Sequence, residues 1–124
     1  MKILIADDDD LLRELVEIVL TDAGYEVSAH ANGLLAWESL QEEGADMAVL
    51  DINMPEMDGL ELLDRIRADK RFKEMPVMLL TANRTASDQA HGYDRGADDY
   101  LTKPFENDVL VAHVKVLEQA FPAQ

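Results

Sequence analysis

The sequence predicts an α/β protein in which helices cover both faces of a doubly wound parallel sheet of five strands. Five short runs with strand character recur along the 124 residues. Each run is followed by a segment whose apolar residues recur at helical spacing. Strands that alternate with helices in this way favour a parallel sheet, because the chain must cross over between neighbouring parallel strands.

The five predicted strands differ in how strongly the sequence indicates them. The first, third and fourth are apolar runs typical of strands that are buried on both faces of a sheet. The second is weaker and is followed by the turn signal Asn32-Gly33, and the fifth is short. The predicted strands span residues 2–6, 26–31, 47–50, 77–80 and 100–102.

The first three helices are predicted from amphipathic spacing and from the residues that stop them. Asp9 or Asp10 is expected to cap the first helix, which stops at Gly24. The second helix ends near Gly44. The third fades in the charged stretch of residues 67–74.

A fourth, polar helix is predicted at residues 86–95 and a last helix at residues 107–121. Right-handed crossovers between parallel strands leave few topologies for this order of elements. The flavodoxin-like (βα)5 fold, with strand order 2-1-3-4-5, is the leading one.

The composition limits the classes of partner. Eleven Lys and Arg against 26 Asp and Glu give a formal net charge of −15, which repels nucleic acids and anionic membranes and favours cations and basic partners. The absence of cysteine excludes disulfide and thiol chemistry. No apolar run has the length of a membrane span, and the amino terminus lacks a signal peptide pattern. We therefore expect one cytoplasmic domain over residues 1–124 that binds neither nucleic acid nor membranes.

Polar residues follow four of the predicted strands. The carboxyl ends of parallel strands meet at one rim of the sheet, where ligand and reaction sites form. Taken singly, such residues are also common in turns and helix caps. Their arrival on successive strand ends favours a chemical role for the set Asp7, Asp8, Asp51, Thr81, Ala82 and Lys103.

These residue types together suit phosphoryl transfer. Three neighbouring carboxylates need a divalent cation, and oxygen ligands favour Mg²⁺, for which Mn²⁺ can substitute. Asp51 would then stay ionised and able to attack phosphorus. Lys103 would pair with a phosphoryl oxygen and the Thr81 hydroxyl would donate to another.

Four segments carry a family resemblance: residues 3–9 (ILIADDD), 50–59 (LDINMPEMDG), 80–82 (LTA) and 96–105 (GADDYLTKPF). With them the sequence resembles the response-regulator receiver domains of two-component signalling, which are CheY-like, over essentially its whole length. The resemblance implies a single receiver domain over residues 1–124, with no output domain in this chain. It also implies a protein that catalyses its own phosphorylation and dephosphorylation rather than a metabolic reaction.

The resemblance further implies roles for the acidic residues. Asp51 matches the phosphoryl acceptor of the family. Asp8 would bind Mg²⁺ directly and Asp7 mainly through water, and the backbone carbonyl of Asn53 would complete the metal shell. The resemblance thus implies the metal set Asp7, Asp8, Asp51 and Asn53.

A switch is implied as well. Thr81 and Lys103 match the residues that contact the phosphoryl group, and Tyr100 matches the aromatic residue that moves inward with Thr81 and its neighbour Ala82. The Lys103–Pro104 bond is expected to be cis. Phosphorylation would then change the face made by the helix at residues 86–95, the fifth strand and the last helix.

The resemblance also implies the partners. The phosphoryl donor would be a sensor histidine kinase or a histidine phosphotransfer protein. The output would be a downstream effector protein or an output domain outside this chain, and the switching face is also suited to a phosphorylation-dependent dimer.

Two other functions stay open on the sequence. The first is a phosphorylation-independent adaptor that uses the same surface. The second is a phosphatase of the haloacid dehalogenase type, which also uses Mg²⁺ and an Asp nucleophile. That class expects a second acid two residues after the nucleophile, where this chain has Asn53.

Overall fold

The computed structural model describes residues 1–82 and 95–121, and in them the chain forms one five-stranded parallel sheet. The strand order is β2-β1-β3-β4-β5, so the predicted flavodoxin-like order is confirmed. The strands are β1 (Lys2–Ala6), β2 (Glu26–His30), β3 (Met47–Asp51), β4 (Val77–Thr81) and β5 (Asp99–Thr102).

Four helices are described, and they follow the predicted order. They are α1 (Asp10–Asp22), α2 (Gly33–Glu43), α3 (Gly59–Ala68) and α4 (Asn107–Ala120). The helix predicted at residues 86–95 lies, except for Arg95, outside the described residues. Within the described ranges, no helix combines the length and the apolar character that crossing a membrane requires.

Side-chain caps explain where three of the helices begin. The Asp9 carboxylate accepts from the backbone N–H groups of Leu11 and Leu12, which confirms one of the two predicted caps of α1. Asp58 caps α3 in the same way. The Asn32-Gly33 pair, predicted as a turn, instead begins α2, because the Asn32 side chain accepts from the N–H of Leu35.

The sheet separates two layers of apolar core, and β1 contributes to both. Leu4 and Ala6 pack on one side with residues of α2 and α3. Ile3 and Ile5 pack on the other side with residues of α1 and α4. All residues of β3 and β4 are buried, as expected for central strands of a parallel sheet covered on both faces.

The strand register aligns the carboxyl ends of the sheet. Leu50 pairs with Ala6, and the next residue, Asp51, pairs with Leu80 on β4. Thr81 in turn pairs with Thr102 on β5. The polar residues at the ends of β1, β3, β4 and β5 therefore meet at one edge.

Candidate functional site

The carboxyl edge of the sheet holds the buried polar residues of the structure. Asp7 directly follows β1, Asp51 ends β3 and Thr81 ends β4. Asp7 and Thr81 are fully buried, and Asp51 is 5% exposed. Across residues 1–82 and 95–121 these are the only polar or charged residues classed as buried. Since buried polar groups are costly unless partnered, their concentration at one edge marks a site rather than ordinary core.

Lys103 bridges two of the acids. Its Nζ lies 3.2 Å from Oδ1 of Asp51 and 3.3 Å from Oδ2 of Asp7. The Lys103 backbone N–H donates to the Thr81 carbonyl at 2.8 Å, which ties the end of β5 to the end of β4. The Lys103–Pro104 bond is cis, as predicted. The ammonium group therefore compensates part of the negative charge that Asp7 and Asp51 bring together.

The three predicted aspartates can hold a cation between them. One carboxylate oxygen from each of Asp7, Asp8 and Asp51 lies within 4.8 Å of the other two. Asp8 is exposed, so this set is open to solvent on one side. Oxygen-only ligands with an open side suit a hard divalent ion that keeps some of its waters, and the residues fit Mg²⁺. Asn53 lies in the exposed part of the following loop, and its role stays a prediction.

The surroundings of Asp51 disfavour the ionised form of its carboxyl group. Burial, followed by the negative charges of Asp7 and Asp8, raises its pKa to about 6, and Lys103 opposes this rise. A divalent cation beside Asp51 would favour the ionised form. The site is thus arranged so that cation binding and a reactive carboxylate go together.

The consecutive aspartates that follow β1 make different contacts. Asp9 caps α1, and its own N–H donates to Oδ1 of Asp7 at 2.9 Å. Asp10 pairs with Arg13 Nη2 at 2.7 Å. Arg13 Nη1 also donates to the Asp7 carbonyl at 2.9 Å. Sequence reasoning missed Arg13, although its three-residue spacing from Asp10 on a helix was an available signal.

The predicted switch residues lie next to this site. Thr81 and Tyr100 are on neighbouring strands, since Leu79 pairs with Tyr100 and Thr81 pairs with Thr102. Side chains two residues apart on a strand share a face, so Thr81 and Tyr100 point to the same face of the sheet. Tyr100 is 7% exposed, and Ala82 is exposed. This placement is compatible with coupling between Thr81 and Tyr100.

Gly59 closes the loop that follows Asp51 and leads into α3. Its N–H donates to the Ile52 carbonyl at 2.8 Å. A Cβ at this position would lie 2.2 Å from the backbone oxygen of Asp51, which is too close for any side chain. Glycine is therefore required where the loop returns to begin α3.

The comparisons with known proteins agree with this geometry. Residues 3–115 match the family described as "Response regulator receiver domain". The DNA-binding dual master transcriptional regulator RpaA of Synechocystis sp. is 40% identical over 116 residues, which are 94% of this chain and 48% of that protein. The chain thus spans about half the length of that relative.

Chemotaxis proteins match along nearly their whole length. Chemotaxis protein CheY1 of Helicobacter pylori is 38% identical, with 94% of this chain and 96% of that protein covered. The solved structure of chemotaxis response regulator CheY4 of Vibrio cholerae has a TM-score of 0.90 and 33% identity, and covers 94% of this chain and 97% of that one.

Proposed function

Because this chain belongs to the response regulator receiver domain family and is a phosphorylation-activated receiver of two-component signalling, we propose that Asp51 is its phosphoryl acceptor. The observation that carries this assignment is the placement of the Asp51 carboxylate. It is nearly buried, lies 3.2 Å from the Lys103 ammonium and shares a possible cation position with Asp7 and Asp8. A nucleophile for phosphoryl transfer needs such compensation of charge.

The proposed reaction transfers a phosphoryl group from a histidine side chain of the donor. The phosphorus–nitrogen bond breaks, its electron pair stays on the imidazole nitrogen, and a bond forms between phosphorus and an Asp51 carboxylate oxygen. Lys103 turns from the two carboxylates to a phosphoryl oxygen, and the Thr81 hydroxyl donates to another. Water later hydrolyses the aspartyl phosphate, which restores the Asp51 carboxylate and releases phosphate.

The proposed metal ligands are the carboxylates of Asp8 and Asp51, the carboxylate of Asp7 through water, and the backbone carbonyl of Asn53. Bound Mg²⁺, or Mn²⁺ in its place, would neutralise charge on the transferred group. The close approach of the three carboxylates supports this ligand set.

The proposed output is a change in one face of the molecule. Movement of Thr81 toward the phosphoryl group lets Tyr100 repack, which changes the face formed by β5 and α4. The shared sheet face of Thr81 and Tyr100 supports this coupling. The same face is proposed to bind the effector or a second phosphorylated copy.

The proposed setting follows from the family. The donor is a sensor histidine kinase or a histidine phosphotransfer protein in the cytoplasm. Residues 1–124 act as one receiver domain, and the output lies in an effector protein or in an output domain outside this sequence.

Intact-mass spectrometry after incubation with acetyl phosphate tests the acceptor. We expect one phosphoryl adduct that requires Mg²⁺ in the wild type and in Asp22→Asn, a matched change at an exposed acid at the end of α1. We expect none in Asp51→Asn. An adduct that persists in Asp51→Asn would overturn the assignment, and a wild type that takes no adduct at short sampling times would favour the phosphorylation-independent adaptor.

A further inference from the structure

The first residue of α2 touches the backbone of the loop between β3 and α3. Gly33 is buried, and a Cβ built there would lie 2.1 Å from the carbonyl oxygen of Met57. It would also lie 2.9 Å from the carbonyl carbon and the Cβ of Met57. Ordinary contact begins near 3.4 Å, so even a methyl group has no room. An alanine here must displace the loop or the helix by on the order of 1 Å.

The loop between β3 and α3 has little freedom to move away. Its ends are fixed by the bonds from Ile52 N–H to the Leu80 carbonyl (3.1 Å) and from Gly59 N–H to the Ile52 carbonyl (2.8 Å). The Met57 side chain is buried in the core. Glu56 has a φ of 69°, a conformation that a residue with a side chain keeps only when its surroundings impose it.

The start of α2 is also restrained, by contacts that connect it to the acidic site. The Asp7 N–H donates to the His30 carbonyl at 3.1 Å, which joins the end of β2 to the residue after β1. Only two residues separate His30 from Gly33, and one of them, Asn32, caps α2. A shift at Gly33 must therefore disturb either the loop that follows Asp51 or the anchor at Asp7.

We propose that Gly33 is a positioning residue for the phosphoryl-transfer site, although it lies on a different element and contributes no side chain. Its missing Cβ lets α2 press against Met57 and thereby sets the path of the loop that carries Asn53. This inference rests on the proposed function, because it takes the Asn53 carbonyl and the carboxylates as the metal ligands.

Substitution of Gly33 by alanine tests the proposal. In Gly33→Ala we expect Mg²⁺ affinity to fall at least tenfold, and the rate of phosphorylation by acetyl phosphate to fall by roughly 10- to 100-fold, as misplacement by about 1 Å does at reacting groups. We also expect the amide NMR signals of residues 53, 54 and 56–58 to shift in the metal-free protein. The matched control is Leu34→Ala, at a position 41% exposed in the same helical turn, which should keep Mg²⁺ affinity within twofold.

A second variant separates positioning from general loss of stability. Leu20→Ala removes a buried side chain of α1 that packs in the core layer on the other side of the sheet from Gly33 and Met57. We expect it to lower the melting temperature while Mg²⁺ affinity stays within threefold of wild type. Equal loss of Mg²⁺ affinity in Leu20→Ala and Gly33→Ala at equal loss of stability would overturn the proposal, as would wild-type affinity in Gly33→Ala.

The wild-type protein decides the matter if Gly33→Ala does not fold. On Mg²⁺ addition the Gly33 amide signal should shift, and that of Gly44, after the far end of α2, should not. An unmoved Gly33 signal in a protein that binds Mg²⁺ would contradict the inference. A wild type that neither binds Mg²⁺ nor accepts a phosphoryl group would instead contradict the proposed function.

Discussion

At the scale of single residues, the main feature is the raised pKa of the Asp51 carboxyl group. This carboxyl group is held close to Asp7 and Asp8, and burial together with their charges raises its pKa to about 6. Among the residues that the structure describes, Lys103 is the cation that opposes this rise. The folded protein therefore keeps an unfavourable charge at neutral pH, as expected where a group is placed for reaction rather than for stability.

The raised pKa of Asp51 predicts how the stability of Asp51→Asn, relative to wild type, changes with pH. Because the pKa of Asp51 is raised from 3.8 to about 6, its contribution to stability is fully present below pH 3.8 and is lost as the pH rises through 6. In chelator at pH 8, Asp51→Asn should be more stable than wild type by roughly 3 kcal/mol, since each unit of pKa is worth about 1.4 kcal/mol. The gain should vanish below pH 4.

Urea unfolding of both proteins between pH 4 and pH 8 measures this difference. The Asp22→Asn variant provides the control, because it removes one negative charge at an exposed position in the last turn of α1 and should change the free energy of unfolding at pH 8 by less than about 1 kcal/mol. A variant at position 51 that is less stable than wild type at pH 8 would show that the Asp51 carboxylate stabilises the fold.

At the residue level the sequence predicted the members of the site and not their contacts. The run Asp7 to Asp10 and the segment around Asp51 identified the acids, and the resemblance assigned their roles. The bridge from Lys103 to both Asp7 and Asp51 depends on distances across three strands, which no local pattern encodes. The contact between Gly33 and Met57 joins residues 24 positions apart in sequence and was missed for the same reason.

At the level of elements, Arg67 joins three parts of the fold. From the last turn of α3, its guanidinium donates to the carbonyls of Met75 (2.6 Å) and Gly96 (2.9 Å) and to Asp98 (2.8 Å). Asp98 also accepts from the N–H of Val77 at the start of β4. The ends of β4 and β5 opposite the acidic site are therefore fixed to α3.

Replacing Arg67 by methionine should lower the free energy of unfolding by about 2–4 kcal/mol, because two carbonyls and a carboxylate lose their donor. The matched control is Arg71→Met, whose ion pair with Asp69 is more exposed to solvent and should therefore cost clearly less stability when it is removed. Chemical denaturation of both variants makes the comparison. Equal losses would mean that the Arg67 contacts do not hold these elements together.

Strand and helix positions were largely predictable, and their ends were not. β3 extends one residue beyond the predicted apolar run, because Asp51 pairs with Leu80 on β4. The charged stretch of residues 67–74 was read as the fading end of a helix. A run of charges cannot reveal that Arg67 alone turns inward to bind carbonyl groups.

For the whole molecule, a net charge of −15 means that any cation will reduce self-repulsion. Binding at the acidic site must therefore be separated from general screening. In NaCl-balanced buffers of equal ionic strength, Mg²⁺ at ten times its dissociation constant should stabilise wild type by about 1.4 kcal/mol. Asp8→Asn should lose most of this gain, and Asp22→Asn should keep it. Equal stabilisation of all three proteins in thermal unfolding would place the effect of Mg²⁺ outside the site.

The whole chain acts as a receiver only if one carboxylate among 26 Asp and Glu residues accepts the phosphoryl group. Borohydride reduces an aspartyl phosphate to homoserine, so peptide mass spectrometry after phosphorylation by acetyl phosphate and reduction identifies the acceptor directly. We predict homoserine at position 51 alone, and only when Mg²⁺ is present during phosphorylation. Homoserine at position 7 or 8, or at position 51 regardless of Mg²⁺, would contradict the assignment of Asp51 as the metal-dependent acceptor.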